Sequence, residues 1–182
     1  MTQDKGRADF IRAAVERFEK PLVNYAFHMT GEIERARDTV QETFMRLCKA
    51  EPEKVQGRLA PWLYTVCRNL ALDAKKKEAR MKQLSGKETE TFVSSAPHPA
   101  ALLERAEDSQ SILALIGTLP KNQQEAIWLK FRQGLKYREI AEVMKITASN
   151  VGFLIHKGIN AIREKLSPTG TASGKEVRHD DR

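Results

Sequence analysis

Ser149, Asn150 and Phe153 stand in the stretch whose residue types and spacing best fit a definite chemistry, the non-covalent reading of nucleic-acid bases. Over residues 137–156 the apolar side chains Ile140, Ala141, Met144, Ile146, Val151 and Leu154 recur as two short helices crossing at a turn require. Ala141 is small where the second helix passes, and the Thr147 hydroxyl can cap that helix. Lys145 occupies the turn position that usually needs φ > 0, at a cost of about 1 kcal/mol. Ala148, Ser149, Asn150, Gly152, Phe153, His156 and Lys157 are then left facing outward. In a helix-turn-helix the N-terminal residues of the second helix meet base edges in the major groove. An Asn amide pairs with adenine, an apolar ring packs on a thymine methyl, and Arg132, Lys136, Arg138 and Lys157 suit phosphates. Phe153 fits a contact between domains equally well, and His156 suits packing better than base reading.

Covalent chemistry finds no comparable constellation. His28, His98, His156 and His179 fall in separate segments without carboxylate or serine partners at a recognisable spacing, so no catalytic residue is assigned. Cys48 and Cys67 lie on apolar helical faces and form neither a CxxC nor a Cys/His ligand pattern, so no metal site, cofactor or disulfide framework is expected. Cysteine usage and the lack of a signal-peptide segment or an apolar run long enough to span a membrane point to a cytoplasmic protein without membrane insertion.

The elements that must position the recognition residues are all helical: 30% of residues are charged and only 7% aromatic. Phe10, Ile11, Ala14, Val15, Phe18, Leu22, Val23, Ala26 and Met29 form one apolar stripe that Thr30-Gly31 stops, and Pro21 is expected to kink or divide it. Ala36, Val40, Phe44 and Leu47 predict a second helix over 32–49, whose opposite face carries Asp38, Gln41, Glu42 and Arg46. Pro52, Gly57 and Pro61 bracket a loop, and Pro61 fits the first turn of a third helix through Trp62, Leu63, Val66 and Leu70 into Lys75-Lys76-Lys77. The Ser-, Gly-, Thr-, Glu- and Pro-rich stretch that follows reads as a flexible acidic linker over 84–108. Two small helical domains result, 1–83 and 109–167, with a polar, disordered tail over 168–182.

The net charge of +7 is divided unevenly. Residues 1–84 hold 17 basic and 12 acidic side chains, residues 109–167 hold 9 and 4, and residues 85–108 hold 2 and 5. Two modules of +5 joined by an acidic connector suit placement of both on one polyanion.

Together these residues resemble a known family. Leu119-Pro120, Gln124-Glu125-Ala126-Ile127, Leu129-Lys130-Phe131, Gly134-Leu135-Lys136-Tyr137 and Glu139-Ile140-Ala141 look like region 4 of bacterial sigma factors of the extracytoplasmic-function (ECF) type. Thr30-Gly31, the string from Asp38 to Leu47, Trp62-Leu63-Tyr64 and Arg68-Asn69-Leu70-Ala71-Leu72-Asp73 resemble region 2. The resemblance implies a transcription initiation factor, monomeric when free, whose partners are core RNA polymerase, promoter DNA and, where one exists, an anti-sigma factor. It assigns polymerase docking to Asp38, Gln41, Glu42 and Arg46, and minus-10 contacts to Arg58, Trp62, Arg68, Asn69, Lys75, Lys76 and Lys77. Trp62 and Tyr64 could stack on unpaired bases, although a core role suits Trp62 at least as well. Minus-35 contacts fall to Arg132, Lys136, Arg138, Ser149, Asn150, Phe153, His156 and Lys157. One departure stands out: where the family commonly has Gly-Thr-Val-Lys-Ser-Arg, this chain has Ser149-Asn150-Val151-Gly152-Phe153-Leu154, without two customary cations.

Two other function classes fit parts of the pattern. A stand-alone helix-turn-helix regulator with a sensing or dimerising N-terminal module would bind DNA without polymerase. A protein-interaction module would show no salt-dependent DNA affinity.

Overall fold

The computed structural model describes residues 2–84 and 106–166, and every element among them is a helix. The linker residues 85–105 and the tail 167–182, with His98 and His179, lie outside the described residues. The first half contains α1 (Thr2–Thr30), α2 (Ile33–Lys49), the four-residue α3 (Pro52–Val55) and α4 (Leu59–Leu84). The second contains α5 (Ala106–Gly117), α6 (Lys121–Phe131), α7 (Tyr137–Met144) and α8 (Ala148–Leu166).

Pro21 lies inside α1 and does not divide it; the helix runs from Thr2 to Thr30. It ends where expected. Gly31 adopts φ 78° and its N–H donates to the Phe27 carbonyl at 2.8 Å, a backbone conformation that glycine takes without Cβ strain. The Arg7 guanidinium donates to the Cys48 and Ala50 carbonyls at 2.7 and 2.8 Å, placing a cation at the C-terminal end of α2 and tying the start of α1 to it. Pro61 falls in the first turn of α4, as its missing N–H predicts.

α1, α2 and α4 pack on one another around Ala14, Leu22, Tyr25, Ala36, Val40, Leu63 and Cys67. In the second half α8 packs on α5, α6 and α7. It approaches α6 closely at Gly158, where a Cβ would come within 2.7 Å of Ile127 Cδ1 and 3.3 Å of Leu119 Cδ1. The two halves share one buried cluster, because α4 also packs against α7 and brings Leu63 and Cys67 into the same core as Ile140 and Val143. Leu63 and Ile140 are fully buried, which contributes roughly 1.5–3 kcal/mol each from the area removed from water.

Candidate nucleic-acid interface

The turn between α7 and α8 is built as its residues dictate. Lys145 takes φ 57° and ψ 45°, a left-handed conformation in a non-glycine residue, and Ile146 N–H donates to the Ala141 carbonyl at 3.1 Å. Thr147 Oγ1 accepts from Asn150 N–H at 3.2 Å, the expected cap. At the start of α7, Glu139 accepts from Lys136 N–H at 2.6 Å. Val151 and Leu154 are buried against Ile140, Val143 and Met144, so the orientation of α8 is set by packing.

That packing leaves Ser149, Asn150, Phe153, His156 and Lys157 exposed, and their helical spacing puts them on one face of α8. Phe153 is 60% exposed, with Lys157 Nζ 5.5 Å from its ring centre. His156 pairs with Asn160 along the helix at 3.0 Å. Arg132, Lys136 and Arg138 are exposed around the α6–α7 turn, where Arg132 also lies 5.1 Å over the Trp128 ring. Phe131 and Tyr137 are further exposed aromatics at this turn; the sequence places both in the region 4 strings but assigns neither a contact.

On α2, Asp38, Gln41 and Arg46 are exposed, and Glu42 is half-buried in an ion pair with Arg46 at 3.0 Å. Asp38 also borders a groove between α2 and α4 lined by Arg35, Thr39, Ala74, Lys77, Glu78 and Met81. Exposed Met45 and Met81 add apolar contact area that charge patterning alone does not reveal.

The residues assigned to minus-10 DNA divide into two groups. Lys75, Lys76 and Lys77 are exposed at the end of α4, whereas Asn69 is half-buried and Trp62 is half-buried against the core. Tyr64 is buried, meets Tyr25 edge-on at 5.2 Å and donates its hydroxyl to Gln133, so it offers no ring face to a base in this arrangement. Arg58 and Arg68 are engaged by the second module. Arg58 pairs with Glu142 at 2.6 Å on the surface. Arg68 Nε and Nη2 donate to Glu125 at 2.7 and 3.3 Å, and Tyr25 donates to the same carboxylate at 2.7 Å. The Arg68 and Glu125 side chains are only 16% and 11% exposed. Burial first, and then the Glu125 charge, push the Tyr25 hydroxyl well above its ordinary range, so it remains a donor. Next to this cluster His28 stacks on Trp128 at 5.5 Å. No cluster of three or more metal-ligating side chains occurs among the described residues.

Comparison with known proteins follows the same division. The family model for Sigma-70 region 2 matches residues 14–81, and that for Sigma-70, region 4, matches residues 109–162. The ECF RNA polymerase sigma factor EcfG of Rhodopseudomonas palustris is 30% identical over 154 residues, covering 84% of this chain and 80% of its own. The chain belongs to the ECF sigma factor family. SigW of Bacillus subtilis, another ECF RNA polymerase sigma factor, is 28% identical over 171 residues, 89% of this chain and 91% of its own. The fold is shared with the sigma factor RpoE solved in complex with the anti-sigma factor NepR from Bartonella quintana. That match has a TM-score of 0.68 and 24% identity, and covers 86% of this chain and 95% of that one. For an ECF sigma factor the exposed face of α8 falls within region 4, and the α2 stripe and basic end of α4 fall within region 2.

Proposed function

We propose that this sigma factor binds core RNA polymerase through the α2 face of Asp38, Gln41, Glu42 and Arg46 and brings it to promoters read by both modules. Region 4 reads the minus-35 element with Ser149, Asn150 and Phe153, while Arg132, Lys136, Arg138 and Lys157 hold phosphates. The basic end of α4, with Lys75, Lys76 and Lys77, tracks the backbone at the minus-10 element, and Arg58 and Arg68 join it. The protein is a non-enzymatic subunit that acts in the cytoplasm. Among the described residues no helix is long and apolar enough to cross a membrane. An anti-sigma factor is a further partner, by analogy with the RpoE–NepR complex.

The observation that carries this reading is the pairing, in one chain and in order, of a region 2 and a region 4 whose assigned contact faces on α2 and α8 are both largely exposed. Co-purification of the full chain with core polymerase tests it. Wild type is expected to bind core, and reversal of Asp38 and Glu42 to Lys should weaken binding at least several-fold without loss of helix content, since reversing two charges on a docking face upsets its electrostatic match to the partner. Undiminished binding by the double reversal would refute the docking face. Sequence-selective DNA binding without any association with polymerase would favour a stand-alone regulator instead.

A further inference from the structure

The two modules carry the same sign of charge, +5 over residues 1–84 and +5 over residues 109–167, yet they pack together. The second module has only four carboxylates, Glu125, Glu139, Glu142 and Glu164, and two of them reach arginines of the first. Both arginines, Arg58 and Arg68, are among those assigned to DNA from sequence. A guanidinium fork matches a carboxylate and a phosphate equally, and Arg68 presents Nε and Nη2 to the two oxygens of Glu125 in that manner. Tyr25 holds Glu125 Oε1 in place, so the acceptor is preorganised.

We propose that Glu125 is a built-in competitor of DNA phosphate: in the free chain its carboxylate occupies Arg68, Glu142 does the same at Arg58, and both arginines pass to the promoter backbone when the modules separate. The proposal rests on the reading of α4 as a DNA-binding element. Three further observations agree with an exchangeable contact. A buried ion pair contributes little net stability relative to the separated, solvated groups, so a phosphate can replace Glu125 at small cost. The Trp128 indole N–H is buried at the same junction and meets no acceptor among the described residues, a penalty that opening relieves. The face of α8 that carries Asn150 is exposed while the modules are docked, as are Lys75, Lys76 and Lys77, so docking withholds Arg58 and Arg68 in particular. The free chain thereby lacks the Arg58 and Arg68 contacts until a partner pulls the modules apart.

The test uses the full chain without polymerase, a fluorescently labelled promoter duplex and a single strand of its minus-10 segment, with small-angle scattering to follow module separation. Glu125→Gln keeps the side-chain volume and removes the charge. It should enlarge the radius of gyration and tighten binding to the single strand by roughly five- to tenfold at low salt. Because removing any carboxylate favours DNA, the same change is also made beside Arg68→Gln, where the gain should vanish. Glu142→Gln, in an exposed pair that folding does not depend on, should give a smaller gain that is lost beside Arg58→Gln. An unchanged affinity in Glu125→Gln, or a gain that persists without Arg68, would overturn the proposal; should Glu125→Gln not fold, the Glu142 and Arg58 pair decides by the same criterion. Failure of the underlying reading is distinguishable, since neutralising Lys75, Lys76 and Lys77 would then leave the affinity for the single strand and its salt dependence unchanged.

Discussion

Replacing Lys145 by glycine should stabilise the protein, and the structure sets the size of the effect. Lys145 sits at φ 57° and ψ 45°, where a Cβ crowds the following carbonyl and costs about 1–2 kcal/mol. Its side chain is exposed and forms no ion pair among the described residues, so truncation forfeits little. Glycine removes the strain but makes the unfolded chain more flexible, which offsets about 0.5–1 kcal/mol. The net gain is about 0.5–1 kcal/mol. Because both modules share a core, the relevant scale is that of a chain of this length, about 2–4 °C per kcal/mol. Lys145→Gly should therefore raise the thermal midpoint by about 1–4 °C in circular dichroism melts. Lys145→Ala is the control: it keeps the Cβ and should give no rise. An equal rise in both variants would trace the effect to charge, and a fall in Lys145→Gly would refute the strain argument.

Other consequences can be checked on the same material. Neutralising Lys75, Lys76 and Lys77 together should lower promoter affinity of the polymerase complex and flatten its salt dependence by up to about three phosphate contacts, read from log-affinity against log-salt; an unchanged slope would make them only a solvated helix end. His28 is held below its ordinary value of 6.5, first by burial and then by Lys121 and Lys75, with Glu125 opposing them. A depressed histidine contributes stability above its unfolded pKa and loses it as pH falls, so the docked form should weaken below about pH 6.5, and His28→Gln should lose that part of the dependence in thermal melts. Burial pushes the Cys67 thiol up to about 12, whereas Cys48 is exposed. One thiol per chain should therefore react with a disulfide reagent near neutral pH, and mapping by mass spectrometry should place it at Cys48; rapid modification of Cys67 would show that the core opens readily.

Local features were legible in the sequence where a residue's own chemistry decides the backbone. Gly31 stops a helix, Pro61 starts one, Thr147 caps one, and the Lys145 position needs φ > 0 whatever residue fills it. The exposed faces of α2 and α8 followed from helical spacing. Pro21 was less informative, because the rest of α1 packs well enough to carry the helix past a missing N–H. α3 spans too few residues for periodicity to register. The docking of the modules was hidden for a different reason. Tyr25 and Glu125 are 100 positions apart, Arg68 and Glu125 are 57, and no local pattern connects them. Glu125 lies beside Gln123 and Gln124 on a helix that is buried on several sides, so its burial contradicts its residue type and becomes visible only with its partners in place. Arg68 read as a phosphate ligand from sequence because a guanidinium free for DNA and one held by a carboxylate have the same local signature.

Run-off transcription by core polymerase reconstituted with the full chain, across genomic promoter fragments and all single-base variants of one minus-35 element, tests the central assignment most directly. Promoter-specific transcripts are expected from wild type. Asn150→Ala should lose its preference at one minus-35 base pair, by about 1–3 kcal/mol of discrimination, while binding through Arg132, Lys136 and Arg138 persists. Transcripts no more specific than those of core polymerase alone would contradict the account.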